Sequence, residues 1–255
     1  MSSTSVTTIS TCPPSSADDG VSGNGATSGN GDAPAPALTF GSDEVAARLA
    51  TVRARIVRAG GDPDRVRVLA VTKGFGGQAV LAARAAGLTD IGENYASELE
   101  AKAPGPPGTQ WHFLGAVQRN KVRALAPLVD VWQGVARLAE GERIARFAPG
   151  ARILIQVDYT GLPGRNGCAP QDARALAEAL LRLDLRVQGL MTVAPPDLSA
   201  APTAFGSLGR LADELDLPER SMGMSADLEA AVAAGSTMVR VGRALFGERP
   251  PVTIA

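Results

Sequence analysis

Histidine occurs once in this chain, at His112, and lysine three times, at Lys73, Lys102 and Lys121; arginine supplies the other 22 of its 25 basic residues. A histidine-rich metal site is therefore excluded within one chain, and a Ser-His-Asp triad could be built only on His112. Amine chemistry has three candidates. Cysteine is as sparse: Cys12 and Cys168 lie far apart in dissimilar surroundings, which suggests neither a disulfide framework nor a zinc site. A reducing, cytoplasmic setting is the expectation. The formal net charge is -1 and no stretch is strongly basic, which argues against a nucleic-acid partner. No apolar run reaches the roughly 18 residues needed to cross a membrane.

What is present is an apolar fraction of 45% over 255 residues, enough to bury a sizeable core. Residues 1–40 do not share in it. They are rich in Ser, Thr, Gly, Asn, Pro and Ala, hold no Lys or Arg, and read as a disordered tail without the basic start of a secretory signal or the arginines of a transit peptide. The domain expected to fold is 41–255. Ser42 reads as the cap of a first helix, with Val45, Leu49, Val52 and Ile56 at helical spacing and Gly60 and Gly61 as its stop.

Strand-like runs follow at 65–72, 89–93, 111–115, 129–134, 151–159, 186–193, 220–224 and 238–245. Ala- and Leu-rich helical stretches lie between them at 77–87, 136–147, 170–183, 203–216 and 225–234. Alternating strands and helices imply parallel pairing through right-handed crossovers. Eight such strands predict an α/β fold with a single TIM-type (β/α)8 barrel, near the low end of its size range at about 210 ordered residues. A doubly wound open sheet is the alternative, although the GFGG at 74–77 lacks the dinucleotide-binding spacing.

Lys73 ends the apolar run VLAVT, on the face where a parallel barrel gathers its functional groups. Partial burial there would lower an ammonium pKa and give the neutral amine that attacks an aldehyde; a solvated strand-end lysine is the plainer reading. Lys102, beside PGPPG, reads as solvent-facing, and Lys121 as the start of a helix. Ser225 sits between a strand-like run and a helix, as an N-cap or as part of a phosphate cradle, with Asp227 and Glu229 opposing an anion there. Arg240 lies in an otherwise apolar strand and needs an acceptor, and Gly242 lets backbone N–H groups approach a ligand. His112 and Asn94 are polar groups on or at the tips of strands; for His112 a hydrogen-bonded core position and a ligand contact both stand open.

Taken in order, AVTK (70–73), IGENY (91–95), QWHFLG (110–115), QRNK (118–121), ILIQVD (153–158), GLM (189–191), SMGMSADLEAAVAAGSTMVRVG (221–242) and ALFG (244–247) resemble the pyridoxal phosphate homeostasis protein family across about 43–247. The resemblance implies a barrel like the alanine racemase N-terminal domain, with pyridoxal 5′-phosphate as cofactor. It implies that Lys73 forms the internal aldimine, that Ser225 and Gly242 lie at the cofactor phosphate, and that Arg240 faces the pyridine nitrogen. Asn94, His112 and Met191 match positions near the ring. An arginine at the ring nitrogen keeps it unprotonated and weakens the electron sink. Thr72 stands where the family usually has Ser, GFG replaces Thr-Lys-Pro after the lysine, and Arg165-Asn166-Gly167 stands for its Lys-x-Gly loop.

The function implied is pyridoxal phosphate homeostasis: holding the cofactor as a Schiff base on Lys73 and delivering it to PLP-dependent apo-enzymes, as a cytoplasmic monomer. Racemases and decarboxylases of related fold add a β-domain and a partner subunit, whereas about eight residues follow ALFG here and no second domain is expected to close the site. The alternatives are a PLP-dependent amino-acid racemase-like enzyme and a cofactor-free Schiff-base aldolase on the same barrel.

Overall fold

A computed structural model describes residues 41–103 and 105–249; the expected tail at 1–40 lies outside the described residues. The spacing of Val45, Leu49, Val52 and Ile56 forms α1 (Ser42–Arg58) and supplies its four buried positions. Gly41, not Ser42, occupies the N-cap, and the Ser42 hydroxyl instead donates to Asp43. The helix stops where Gly60 takes a positive φ of 84°, a conformation open to glycine.

The chain then alternates through β1 (Arg67–Val71), α2 (Gly77–Ala85), β2 (Asp90–Glu93), α3 (Ala96–Lys102), β3 (Gln110–Phe113) and α4 (Val122–Leu125). It continues through β4 (Val131–Val135), α5 (Leu138–Phe147), β5 (Ala151–Gln156), α6 (Ala173–Leu181), β6 (Leu185–Met191) and α7 (Ala201–Glu214). Last come β7 (Glu219–Ser221), α8 (Leu228–Ala233), β8 (Met238–Val241) and α9 (Arg243–Phe246). All eight strands pair in parallel in chain order, and β8 closes on β1 with Arg67 opposite Met238 through Ala70 opposite Val241. That closure excludes the open sheet. Among the described residues no helix is long and apolar enough to cross a membrane.

Successive side chains of a strand face opposite sides, so each strand divides its residues between the barrel interior and the helical layer. The outer set, including Val68, Ala70, Ile91, Trp111, Trp132, Ile153, Leu190 and Val239, joins the large core under the helices. The inner set forms two small apolar groups, Leu69 with Val71 and Met238, and Val131 with Leu154 and Met191. Gly92 makes room for this filling: a Cβ there would come within 2.4 Å of Leu69 and 2.7 Å of Leu114. Lys73 has the parity of Leu69 and Val71, which carries its side chain to the inner side just beyond the strand's carboxyl end.

Candidate functional site

The carboxyl ends of the strands surround a cavity of about 390 Å³, a usual size for a small-molecule site. Lys73, Asn94, Met191, Ser225, Arg240 and Gly242 all line it. They come from the ends of β1, β2, β6, β7 and β8, so closure of the barrel brings together residues up to 169 positions apart, the span from Lys73 to Gly242. Arg243 and Arg249 also line it and were not singled out in the sequence; Arg243 directly follows Gly242 in RVGRALFG. Among the described residues the lining thus holds four basic side chains, a hydroxyl and an amide, and no carboxylate.

Lys73 is half-buried, and its amine is held below the ordinary lysine pKa by burial first and then by the charges of Arg249 and Arg240. Arg240 is 5% exposed. Its Nη1 donates to the Ser221 carbonyl at 2.6 Å and the Ser221 hydroxyl at 2.9 Å, and Nη2 donates to the Thr192 carbonyl at 2.6 Å. All three acceptors are neutral, and burial pulls the guanidinium pKa down to about 10.

Ser225 is not the N-cap of α8. Asp227 takes that position and accepts from the Met224 N–H, leaving Ser225 two residues earlier in the turn. Its Oγ accepts from the Ala244 N–H at 3.3 Å, which ties the turn after β7 to the start of α9. Arg55 of α1 fixes the same turn by donating to the Ser225 carbonyl at 3.0 Å while clasping both Glu229 carboxylate oxygens. Glu229 is therefore engaged away from the cavity, and neither it nor Asp227 lines the lumen.

Lys102 overturns the expectation of a solvent-facing residue. Its side chain is 7% exposed and its ammonium donates to the Thr72 carbonyl at 2.9 Å, Glu93 at 2.7 Å and Glu98 at 2.7 Å. Thr72 donates its hydroxyl to the same Glu93 oxygen at 2.5 Å, and the Gly74 N–H donates to Glu98 at 2.8 Å. Both backbone neighbours of Lys73 are thus tethered to α3 and the end of β2. Burial raises the Glu93 carboxyl above its ordinary value against the lowering pull of Lys102 and Thr72. Lys121 caps α4 and is exposed.

His112 does not line the cavity. It is 1% exposed inside the barrel, with Nε2 2.9 Å from Asp90 and Nδ1 2.8 Å from the Gln133 amide. Of the two readings open for it, the hydrogen-bonded core position is the one observed. Arg165, in the loop after β5, donates to the Val193 and Ala194 carbonyls and stands 3.7 Å from Asp158.

The alanine racemase N-terminal domain family model matches residues 42–250. The pyridoxal phosphate homeostasis protein of Pseudomonas aeruginosa is 40% identical over 220 residues, 82% of this chain and 95% of that one. PipY of Synechococcus elongatus, solved with PLP bound, is 34% identical over 80% of this chain and 100% of its own, with a TM-score of 0.71. Alanine racemase from Corynebacterium glutamicum, at 17% identity and a TM-score of 0.66 over 85% of this chain and 63% of that one, shares the fold.

Proposed function

The chain belongs to the pyridoxal phosphate homeostasis protein family, and from that premise we propose that it holds pyridoxal 5′-phosphate in the barrel-mouth cavity with Lys73 as the point of covalent attachment. The observation that carries this reading is the donor set: three guanidinium groups and a half-buried amine, with no carboxylate among the described residues of the lining, suit a phosphorylated dianion that carries an aldehyde. When bound, the cofactor supplies an aldehyde carbon open to an unprotonated amine. Lys73 is suited to meet it, because burial and two neighbouring guanidinium groups favour its neutral form. Among the described residues no hydrogen bond or ion pair holds its amine back, in contrast to Lys102.

Ser225 Oγ and the backbone N–H groups around Gly242 would grip the phosphate, with Arg243 and Arg249 adding positive charge at the mouth. Arg240, held only by neutral acceptors, keeps its charge free for the ring nitrogen. Asn94 and Met191 would flank the ring, while His112 acts at most from behind Arg240. The protein is a carrier in this reading, a cytoplasmic monomer that limits the free aldehyde and passes it to PLP-dependent apo-enzymes. Supporting that over a racemase, among the described residues the lining holds no carboxylate, histidine, cysteine or tyrosine to oppose Lys73 as a second acid or base.

The test is borohydride reduction of the loaded protein followed by digestion and mass mapping. The pyridoxyl label is expected on Lys73, and Lys73→Ala should lose it while remaining folded. A label mainly on Lys102 or Lys121 would overturn the assignment. Sustained amino-acid turnover near ordinary enzyme rates, about 10 per second, would replace the carrier by the racemase.

A further inference from the structure

Five buried polar side chains from five strands form one continuous hydrogen-bonded line through the barrel. It starts at Arg240 on β8, whose Nη1 donates to Ser221 Oγ on β7 at 2.9 Å. Ser221 Oγ donates to Gln133 Oε1 on β4 at 2.7 Å. Gln133 Nε2 lies 2.8 Å from His112 Nδ1 on β3, and His112 Nε2 lies 2.9 Å from Asp90 Oδ1 at the start of β2. Ser221 and Gln133 are fully buried, His112 nearly so, and Asp90 reaches the amino-terminal rim, where the Arg67 guanidinium and the Thr89 hydroxyl also face it.

With the His112 ring neutral, the form its burial favours, the two ends of this line set the direction of its bonds. A guanidinium only donates and an ionised carboxylate only accepts. Ser221 accepts from Arg240, which leaves its single proton for Gln133 Oε1. Gln133 therefore turns its amide nitrogen to His112, whose Nδ1 must carry a lone pair. The imidazole proton then sits on Nε2, pointing at Asp90. Read from Asp90, a neutral ring gives the same assignment of amide and tautomer.

We propose that Ser221, Gln133, His112 and Asp90 are positioning residues that aim the Arg240 guanidinium into the cavity through this one-way chain. The proposal rests on the reading that Arg240 faces the cofactor's ring nitrogen. Among the described residues no carboxylate hydrogen-bonds to Arg240; its acceptors are two backbone carbonyls and the Ser221 hydroxyl, and only the hydroxyl can turn. The chain holds that hydroxyl in its accepting orientation. Asp90→Asn, at the far end of the barrel, replaces an acceptor-only carboxylate by an amide that can also donate, without changing the side chain's shape. An amide that donates to Nε2 would put the imidazole proton on Nδ1 and turn Gln133 over. Its nitrogen would then donate to Ser221, whose own proton would compete with Arg240.

The experiment compares the affinities of pyridoxal 5′-phosphate and its 1-deaza analogue, which has a ring CH in place of the nitrogen, for the parent protein, Asp90→Asn and Ser221→Ala. The parent should prefer the natural ring by about 10- to 100-fold, the worth of one charge-assisted hydrogen bond. Both variants should narrow that preference to within about threefold while the reduced label stays on Lys73. As the chain has a single histidine, 15N NMR of the parent reads its tautomer directly, and a neutral ring with the proton on Nε2 is expected. A preference that survives undiminished in both variants overturns the chain and leaves the proposed function standing. A parent that does not distinguish the two rings removes the ring-nitrogen role of Arg240 and the chain with it. A parent that takes no label at all shows that the proposed function itself is wrong. Should a variant fail to fold, a parent imidazole protonated on Nδ1 overturns the proposal alone.

Discussion

Lys73 follows Thr72 at the end of β1 and Lys102 donates to the Thr72 carbonyl, yet their surroundings assign these two lysines opposite work. The Lys73 amine is half-buried and free of partners among the described residues, whereas all three donors of Lys102 are taken by Thr72, Glu93 and Glu98. Removing one member of a buried ion pair leaves the other charge uncompensated, at a cost of about 3–5 kcal/mol. Lys102→Met should therefore destabilise the protein by that amount in urea titration, because it strands the fully buried Glu93. Adding Glu93→Gln should recover part of the loss. A change below about 0.5 kcal/mol, the range of ordinary surface substitutions, would mean that the ion pair does not form in solution. The place of Lys73 at the cavity was legible because it ends an apolar run. The pairing of Lys102 was not, since its partners meet only after α3 folds back against β1 and β2.

Among the elements, the turn between β7 and α8 shows how a local motif is reused by its tertiary context. A serine ahead of a helix reads as a cap, but Asp227 holds that position and Ser225 is left to join the start of α9 through the Ala244 N–H. This separates two effects that a true cap would mix. Ser225→Ala should weaken pyridoxal 5′-phosphate binding by about 10- to 150-fold, the value of a charge-assisted hydrogen bond of roughly 1.5–3 kcal/mol. It should shift apo stability by less than the roughly 1 kcal/mol of a lost N-cap. Titration with pyridoxal lacking the phosphate checks the attribution, since its affinity should barely change. A Ser225→Ala protein that keeps its full preference for the phosphate form would place the phosphate elsewhere. Strand positions were legible from alternation even at β7, which is three residues long. The exact start of α8 was not, because both Ser225 and Asp227 are good caps and only the packing of Leu228 and the clasp of Arg55 on Glu229 choose between them.

At the scale of the whole molecule, closure is the property that turns separate motifs into a site. No segment announces it: pairing of β8 with β1 depends on all the strands between them, so the sequence pattern left an open sheet as an alternative. Once closed, the barrel makes a ligand that touches β1, β2, β6, β7 and β8 a bridge across the least paired seam, for β7 meets β8 at the single pair Ser221 and Met238. Such a ligand should stabilise the barrel globally and not just a loop. At a free concentration one hundred times its dissociation constant it adds about 2.7 kcal/mol. For a folded body of this size each kcal/mol raises the melting temperature by roughly 2–4 °C, so saturation with pyridoxal 5′-phosphate should raise it by about 5–10 °C. Lys73→Ala and Ser225→Ala should each reduce the rise at the same total concentration, and the double variant should nearly abolish it. The transition should stay single, because the ligand couples strands that already unfold together. A loaded protein that melts where the apo form does would show that the cavity is not where the cofactor is held, and a rise that persists in the double variant would show that its grip lies in other residues.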